Sequence, residues 1–215
     1  MHNAIIFDLD GTLLNSLADL ANAVNRTLSQ LGFATHDIDA YRYFIGDGAR
    51  MLIARALPEN ERSDKRIEQC FAAFKNDYAQ NWNKESKLYP GISNLLDELT
   101  QRGITMTILS NKPHVFTKKC VDHFLPQWNF EVVQGQQESI PRKPDPAAAL
   151  LISQKLLIAP ASFLFIGDSA VDMKTADAAN MYPVGVLWGY RDAKELLSNG
   201  AKALVHSADE ILAYI

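Results

Sequence analysis

The sequence predicts an α/β protein: a parallel sheet with helices on both faces, interrupted after its first strand by an all-helical insertion. Three observations carry this. From about residue 90 onward, short apolar runs alternate with helical stretches, the pattern of a parallel sheet whose crossovers are helices. One more apolar run, Ala4–Phe7, stands far upstream of the rest. Between them, residues 16–87 show helical periodicity and no convincing strand. The predicted division is a core domain of 1–15 and 88–215 and a helical domain of 16–87.

Each element has its own reason. Ala4-Ile5-Ile6-Phe7 is apolar at every position, as a strand covered on both faces requires. Leu17, Leu20, Ala21, Val24, Leu28 and Leu31 form one helical stripe, stopped by Gly32. Ile67, Cys70, Phe71, Phe74, Tyr78 and Trp82 form a second stripe, and its aromatic content at helical spacing predicts packing. Ile92, Leu95, Leu96 and Leu99 predict a helix that closes at Gly103, a residue suited to the left-handed position past a helix end. Asp145-Pro146 reads as a helix cap followed by proline in the first turn. The remaining strands are expected at Ile104–Leu109, Phe130–Val133, Phe163–Ile166, Val184–Leu187 and Ala203–Val205.

The 215 residues are 47% hydrophobic and 21% charged, an ordinary globular balance. A net charge of −4 argues against a dedicated nucleic-acid binder but leaves a small anionic substrate open. Cys70 and Cys120 belong to no CxxC or Cys/His spacing, so plain thiols in a reducing compartment are expected. No basic region leads into a long apolar stretch, and no run reaches the length of a membrane span. The expectation is a soluble cytoplasmic protein, monomer or homodimer, without a membrane or nucleic-acid partner.

Asp8-Leu9-Asp10-Gly11-Thr12 follows directly on the first strand. Residues i and i+2 of an extended segment point to the same side, so the two carboxylates repel. A hard divalent cation with oxygen ligands would offset that repulsion. Sites in open parallel sheets form at the carboxyl ends of the strands, which makes the residues after each strand a test. Ser110, Asn111 and Lys112 follow Ile104–Leu109; Gly167, Asp168, Ser169 and Asp172 follow Phe163–Ile166; Arg142-Lys143 precedes Pro144. Each cluster also has a plainer reading. Asp10-Gly11 could be a turn, Ser110-Asn111 a helix cap, Lys143 a solvated lysine, and Asp168 with Asp172 a wet helical pair. Four such clusters on one predicted edge favour a site. An EF-hand is excluded by Leu13 where that loop needs glycine. No GxxxxGK[ST] loop is present, and Gly46-Asp47-Gly48 is too short to be a phosphate loop by itself.

As a set, Asp8-Leu9-Asp10-Gly11-Thr12, Ser110-Asn111, Lys143 and Gly167-Asp168 with Asp172 resemble the four motifs of the haloacid dehalogenase superfamily of phosphohydrolases. The helical insertion resembles the cap of that superfamily's α-helical-cap branch, set into a Rossmann-like core. Phe44-Ile45-Gly46-Asp47-Gly48-Ala49-Arg50, Leu88-Tyr89-Pro90-Gly91 and Ser110-Asn111-Lys112-Pro113 look most like phosphoglycolate phosphatases. The resemblance implies Mg²⁺-dependent hydrolysis of a small phosphate monoester through an aspartyl phosphate. Asp8 would be the nucleophile, and Asp10 the acid that protonates the leaving oxygen and then the base that activates water. Asp8, the Asp10 carbonyl and Asp168 would hold Mg²⁺, supported by Asp172. Ser110 and Lys143 would hold phosphate oxygens, with Thr12 and Asn111 also on the substrate, and amides of the Leu9–Gly11 turn would add donors. Arg50 could pair with a substrate carboxylate. The alternatives are a phosphosugar mutase of the β-phosphoglucomutase type and a non-catalytic phosphate-binding protein on the same fold.

Overall fold

The computed structural model describes residues 2–215. Two compact units divide the chain: the described part of Met1–Leu14 together with Leu88–Ile215, and Asn15–Lys87.

The first unit is built on strands β1 (Ala4–Phe7), β4 (Thr105–Pro113), β5 (Val132–Gln136), β6 (Phe163–Gly167), β7 (Tyr182–Val186) and β8 (Ala203–Val205). They form one sheet in the order β5-β4-β1-β6-β7-β8, with adjacent strands parallel throughout. All six expected strands are present. The third lies two residues further on than Phe130–Val133, because Gln134-Gly135-Gln136 carry the pairing into polar sequence. The second runs past Leu109 to Pro113, through residues the sequence reading placed in a loop.

Helices α5 (Ile92–Gln101), α6 (His114–Phe124), α7 (Ala147–Leu156), α8 (Ala170–Ala178) and α9 (Ala193–Ser198) connect the strands. On one face Ala4, Ile6, Phe163 and Phe165 pack against Ala148, Ala149 and Ile152 of α7 and Ala176 beside Ala179. All of β1 is buried, as its unbroken apolar run requires. Gly103 takes φ +67° after α5 as its signal requires. At α7 the start is one residue later than Asp145-Pro146 implied: Pro146 holds the cap position and Ala147 is the first helical residue, with the Ala147 N–H donating to Asp145 Oδ1 at 2.8 Å.

The chain first builds to one side of β1, through β4 and β5, then crosses to the other side at β6. That makes the carboxyl end of β1 the switch point, where ligand crevices form in such sheets. The register sets the level. Phe7 pairs with Ile108 and Ile166, so Asp8, Leu109 and Gly167 stand in line as the next residues on three neighbouring strands.

The second unit is helical: α1 (Leu17–Gln30), α2 (Tyr41–Phe44), α3 (Ala49–Ala56) and α4 (Asp64–Asn81), with short 3₁₀ turns between. The chain leaves the first unit along β2 (Leu14–Asn15) and returns along β3 (Lys87–Leu88), which pair with each other. Leu17, Leu20, Ala21, Val24 and Leu28 of α1 are buried, as are Cys70, Phe74 and Tyr78 of α4. The Phe74 and Tyr78 rings stack at 5.3 Å, so the aromatic stripe is packing. Among the described residues no helix is long and apolar enough to cross a membrane.

Candidate active site

The tight turn after β1 is made by the main chain of Leu9. Its carbonyl accepts from the amides of Thr12, Leu13 and Leu14, while the Gly11 N–H donates to the Leu14 carbonyl at 2.8 Å. The Gly11 amide is therefore used inside the turn and does not supply the anion donor expected of it. Gly11 sits at φ +92°, and a Cβ there would overlap the Asp168 carboxylate. A Cβ on Gly189 would overlap Asp168 as well. Two glycines thus let main chain close on this one aspartate, and the Tyr190 N–H donates to its Oδ2 at 2.7 Å.

Lys143 ties the remaining clusters together. Its ammonium donates to Asp8 Oδ1 at 2.8 Å, to Asp172 Oδ1 at 2.6 Å and to the Leu109 carbonyl at 2.9 Å, which matches the three donors it has. The side chain is 2% exposed, so Lys143 is not the solvated lysine of the plainer reading. Burial opposes its charge, but Asp172 and Asp8 more than offset that and hold its pKa above the ordinary lysine value. Asn111 fixes it in place: Oδ1 accepts from the Lys143 N–H at 2.9 Å, and Nδ2 donates to the Lys143 carbonyl at 3.0 Å. Asn111 is thereby placed to act on a ligand through Lys143.

Asp172 is spanned by its own helix start. Its Oδ2 accepts from the Ser169 N–H at 3.1 Å and from Ser169 Oγ at 2.6 Å, a reciprocal cap at the entry to α8. Asp8, Asp168 and Asp172 are all buried and offer carboxylate oxygens within 4.8 Å of one another. Lys143 bonds to two of the three, Asp8 and Asp172, while the Arg191 charge favours the ionised form of Asp168. Burial is the main cause pushing the Asp8 carboxyl up to about 6, countered by Lys143 and reinforced by Asp172. Burial, with Asp172 and Asp8, likewise raises Asp168 well above the usual carboxylate range. Hard oxygen donors with surplus negative charge fit a divalent cation such as Mg²⁺.

Ser110 is buried within the second half of β4, where its Oγ accepts from the Lys112 N–H at 3.3 Å. Neither Ser110 nor Asn111 caps a helix, because β4 continues to Pro113 before α6 begins. Thr12 Oγ1 is a buried oxygen with no hydrogen-bond partner among the described residues, and Trp188 Nε1 donates to the Thr12 carbonyl at 3.0 Å. The structure therefore brings Asp8, Asp10, Thr12, Ser110, Asn111, Lys143, Asp168 and Asp172 into one unit. Arg50 belongs to the other, where it pairs with Glu68 and, at 3.9 Å, with Asp64.

The family model for haloacid dehalogenase-like hydrolases matches residues 5–186. The chain belongs to this family. A phosphoglycolate phosphatase of Pseudomonas putida is 35% identical over 196 residues, covering 89% of this chain and 72% of that one. One from Psychrobacter arcticus is 35% identical over 200 residues, covering 89% of this chain and 86% of the relative. Among solved structures, a predicted phosphoglycolate phosphatase from Haemophilus somnus superposes with a TM-score of 0.91 at 27% identity, over 99% of this chain and 97% of that one.

Two contributions to this haloacid dehalogenase-like site have no role assigned from the sequence: the loop after β7, and Lys112, which the sequence places in the Ser110-Asn111-Lys112 cluster without one. The loop after β7 supplies Trp188, Gly189 and Tyr190, which pack on or bond to Thr12, Gly11 and Asp168. No local motif marks it. Lys112 donates from Nζ to both oxygens of Asp10, at 3.0 and 3.1 Å. Its signal was its place two residues after Ser110, the same spacing that joins Asp8 to Asp10.

Proposed function

We propose that this hydrolase is a Mg²⁺-dependent phosphate monoesterase that carries the phosphoryl group on Asp8, with 2-phosphoglycolate as its substrate. The observation that carries the reading is the buried Asp8 carboxylate, held by Lys143 within a group of three buried aspartates whose oxygens lie within 4.8 Å of one another. The names of the Pseudomonas and Psychrobacter relatives support the substrate.

Asp8 and Asp168, with the Asp10 carbonyl, would hold Mg²⁺. Asp172, already bonded to Lys143 and Ser169, would support them from behind. When bound, the ion supplies positive charge that offsets the approach of a carboxylate to an anionic phosphate. In the first step an Asp8 oxygen forms a bond to phosphorus while the bond to the leaving oxygen breaks, and Asp10 gives that oxygen its proton. In the second step Asp10 takes a proton from water as the water oxygen bonds to phosphorus. The bond to Asp8 then breaks and inorganic phosphate leaves. Lys143 and Ser110 stabilise charge on the equatorial oxygens, the main task in phosphoryl transfer. Thr12 Oγ1, lacking an internal partner, is a further donor.

Phosphate release from 2-phosphoglycolate, measured with Mg²⁺ and with a chelator, tests this. Asp8→Asn is expected to lower kcat at least ~10³-fold with an unchanged fold, the order seen when a nucleophile is removed. Retained turnover would exclude Asp8 as the nucleophile. Conversion of glucose 1-phosphate to glucose 6-phosphate without free phosphate would replace the hydrolase reading with a mutase.

A further inference from the structure

The leaving-group end of the site has its own cation. Lys112 is 3% exposed, an unusual place for an ammonium, and it straddles both oxygens of Asp10. Its main chain is fixed on either side. The N–H donates to Ser110 Oγ at 3.3 Å, and the carbonyl accepts from Thr117 Oγ1 at 3.0 Å. A buried lysine anchored this way has little freedom to follow ligands of different shape.

We propose that Lys112 Nζ is the recognition point for an anionic group on the leaving half of the substrate, a carboxylate attached one carbon from the ester oxygen. The inference rests on the phosphomonoesterase reading, in which Asp10 meets the leaving oxygen. An oxygen sharing a proton with Asp10 lies about 2.7 Å from its carboxylate, and Lys112 Nζ lies 3.0 Å from that same carboxylate. The ammonium is therefore within about 6 Å of the ester oxygen. The carboxylate of a 2-oxyacetate stands about 3 Å from its ether oxygen on standard bond lengths, which leaves one hydrogen bond to close the gap. A neutral alkyl group offers nothing to the ammonium, and a carboxylate on a longer chain overshoots an anchored Nζ. The discrimination resides in the same unit as the reacting groups. Arg50, the other candidate for reading a carboxylate, already faces two acidic side chains.

The test compares kcat/KM for 2-phosphoglycolate with that for ethyl phosphate, its analogue with a methyl group in place of the carboxylate, in the wild type, Lys112→Met and Lys112→Arg. Any effect of Lys112 transmitted through Asp10 acts on both substrates, so the ratio is the readout. In Lys112→Met the ratio is expected to fall about 10²-fold or more, the scale of losing one partner of a buried charge pair. Lys112→Arg is expected to restore part of it. Free glycolate should inhibit the wild type and not Lys112→Met, while inorganic phosphate inhibits both. Equal loss for the two substrates, or unchanged glycolate inhibition, overturns the proposal and leaves Lys112 as a residue that positions Asp10. A wild type that hydrolyses neither ester overturns the phosphatase reading itself, and this inference with it.

Discussion

The strand-end site and the helical unit are built from the same charged residue types, used in opposite ways. At the strand ends Lys143 and Lys112 are almost wholly buried, and each is set on aspartates. In Asn15–Lys87 the pairs are more open to solvent, among them Arg50 with Glu68 at 51% and 53% exposure and Arg66 with Glu61 at 38% and 35%. Exposed pairs of that kind contribute about 0–1 kcal/mol. Burying charge is unfavourable unless geometry and partners compensate, and the compensation at the strand ends is incomplete, because burial still holds Asp8 and Asp168 above the usual carboxylate range despite Lys143 and Arg191. The helical unit also holds one buried carboxylate, and there the accounting closes. Asp19 accepts from the amides of Glu85 and Ser86 and from Ser86 Oγ, all at 2.6–3.1 Å. Burial alone therefore does not mark function; several buried carboxylates gathered within reach of one ion do.

Metal and pH should separate the two kinds of buried aspartate most widely. Asp8 is pushed up to about 6 from an ordinary 3.8, and Asp168 is raised as well. The folded state then holds these protons more tightly than the unfolded one. The linked stability is fully present below pH ~4 and is lost as pH rises through about 6. Metal-free protein should thus lose stability as pH rises from 4 to 7, and Asp8→Asn should lose less of it, keeping only the part linked to Asp168. Mg²⁺ requires ionised ligands, so its stabilisation should be small at pH 5 and full at pH 8. There it reaches about 2.7 kcal/mol at one hundred times Kd. Melting curves with and without Mg²⁺ at the two pH values check this, and an equal increment at both would remove the link between these carboxylates and the ion.

The strand-end half of this contrast was legible in the sequence because the chemistry there is local. Asp8-Leu9-Asp10, Ser110-Asn111 and Asp168 with Asp172 each follow an apolar run, and strand pairing set by those runs brings their ends level. What stayed hidden came from where a strand stops. Ending β4 at Leu109 on hydrophobicity placed Lys112 in a loop, whereas the strand carries it to Pro113 and into contact with Asp10. The same criterion set β5 two residues early, since Gln134-Gly135-Gln136 pair despite their polarity. Long-range partners left no trace at all. Nothing near Asn111 announces the main chain of Lys143, nor anything near Asp19 the amides of Glu85 and Ser86.

A buried carboxylate with every bond made should fail differently from one that awaits a cation. Asp19→Ala leaves the two amides and Ser86 Oγ without their acceptor. The expected loss is about 1–3 kcal/mol of stability, the range for a buried polar group deprived of its partner. Because the Asp19 oxygens are satisfied by main-chain amides and a hydroxyl, Mg²⁺ should stabilise this variant by the same increment as the wild type. Denaturant melts in both conditions measure the two quantities together. A variant that lost the Mg²⁺ increment would show that Asp19 belongs with the site aspartates after all.

The smallest effect should come from the surface pair that sequence alone made look functional. Arg50 stands half exposed between Glu68 and Asp64, so Arg50→Ala should change stability by less than ~1 kcal/mol. If Lys112 reads the substrate carboxylate, Arg50→Ala should also leave the ratio of kcat/KM for 2-phosphoglycolate over ethyl phosphate unchanged. The ratio is more telling than either rate, because a general loss of activity moves both substrates together while loss of a carboxylate contact moves only one. A ratio that collapsed in Arg50→Ala and held in Lys112→Met would move substrate choice to the helical unit. The strand-end site would then be left with the chemistry alone.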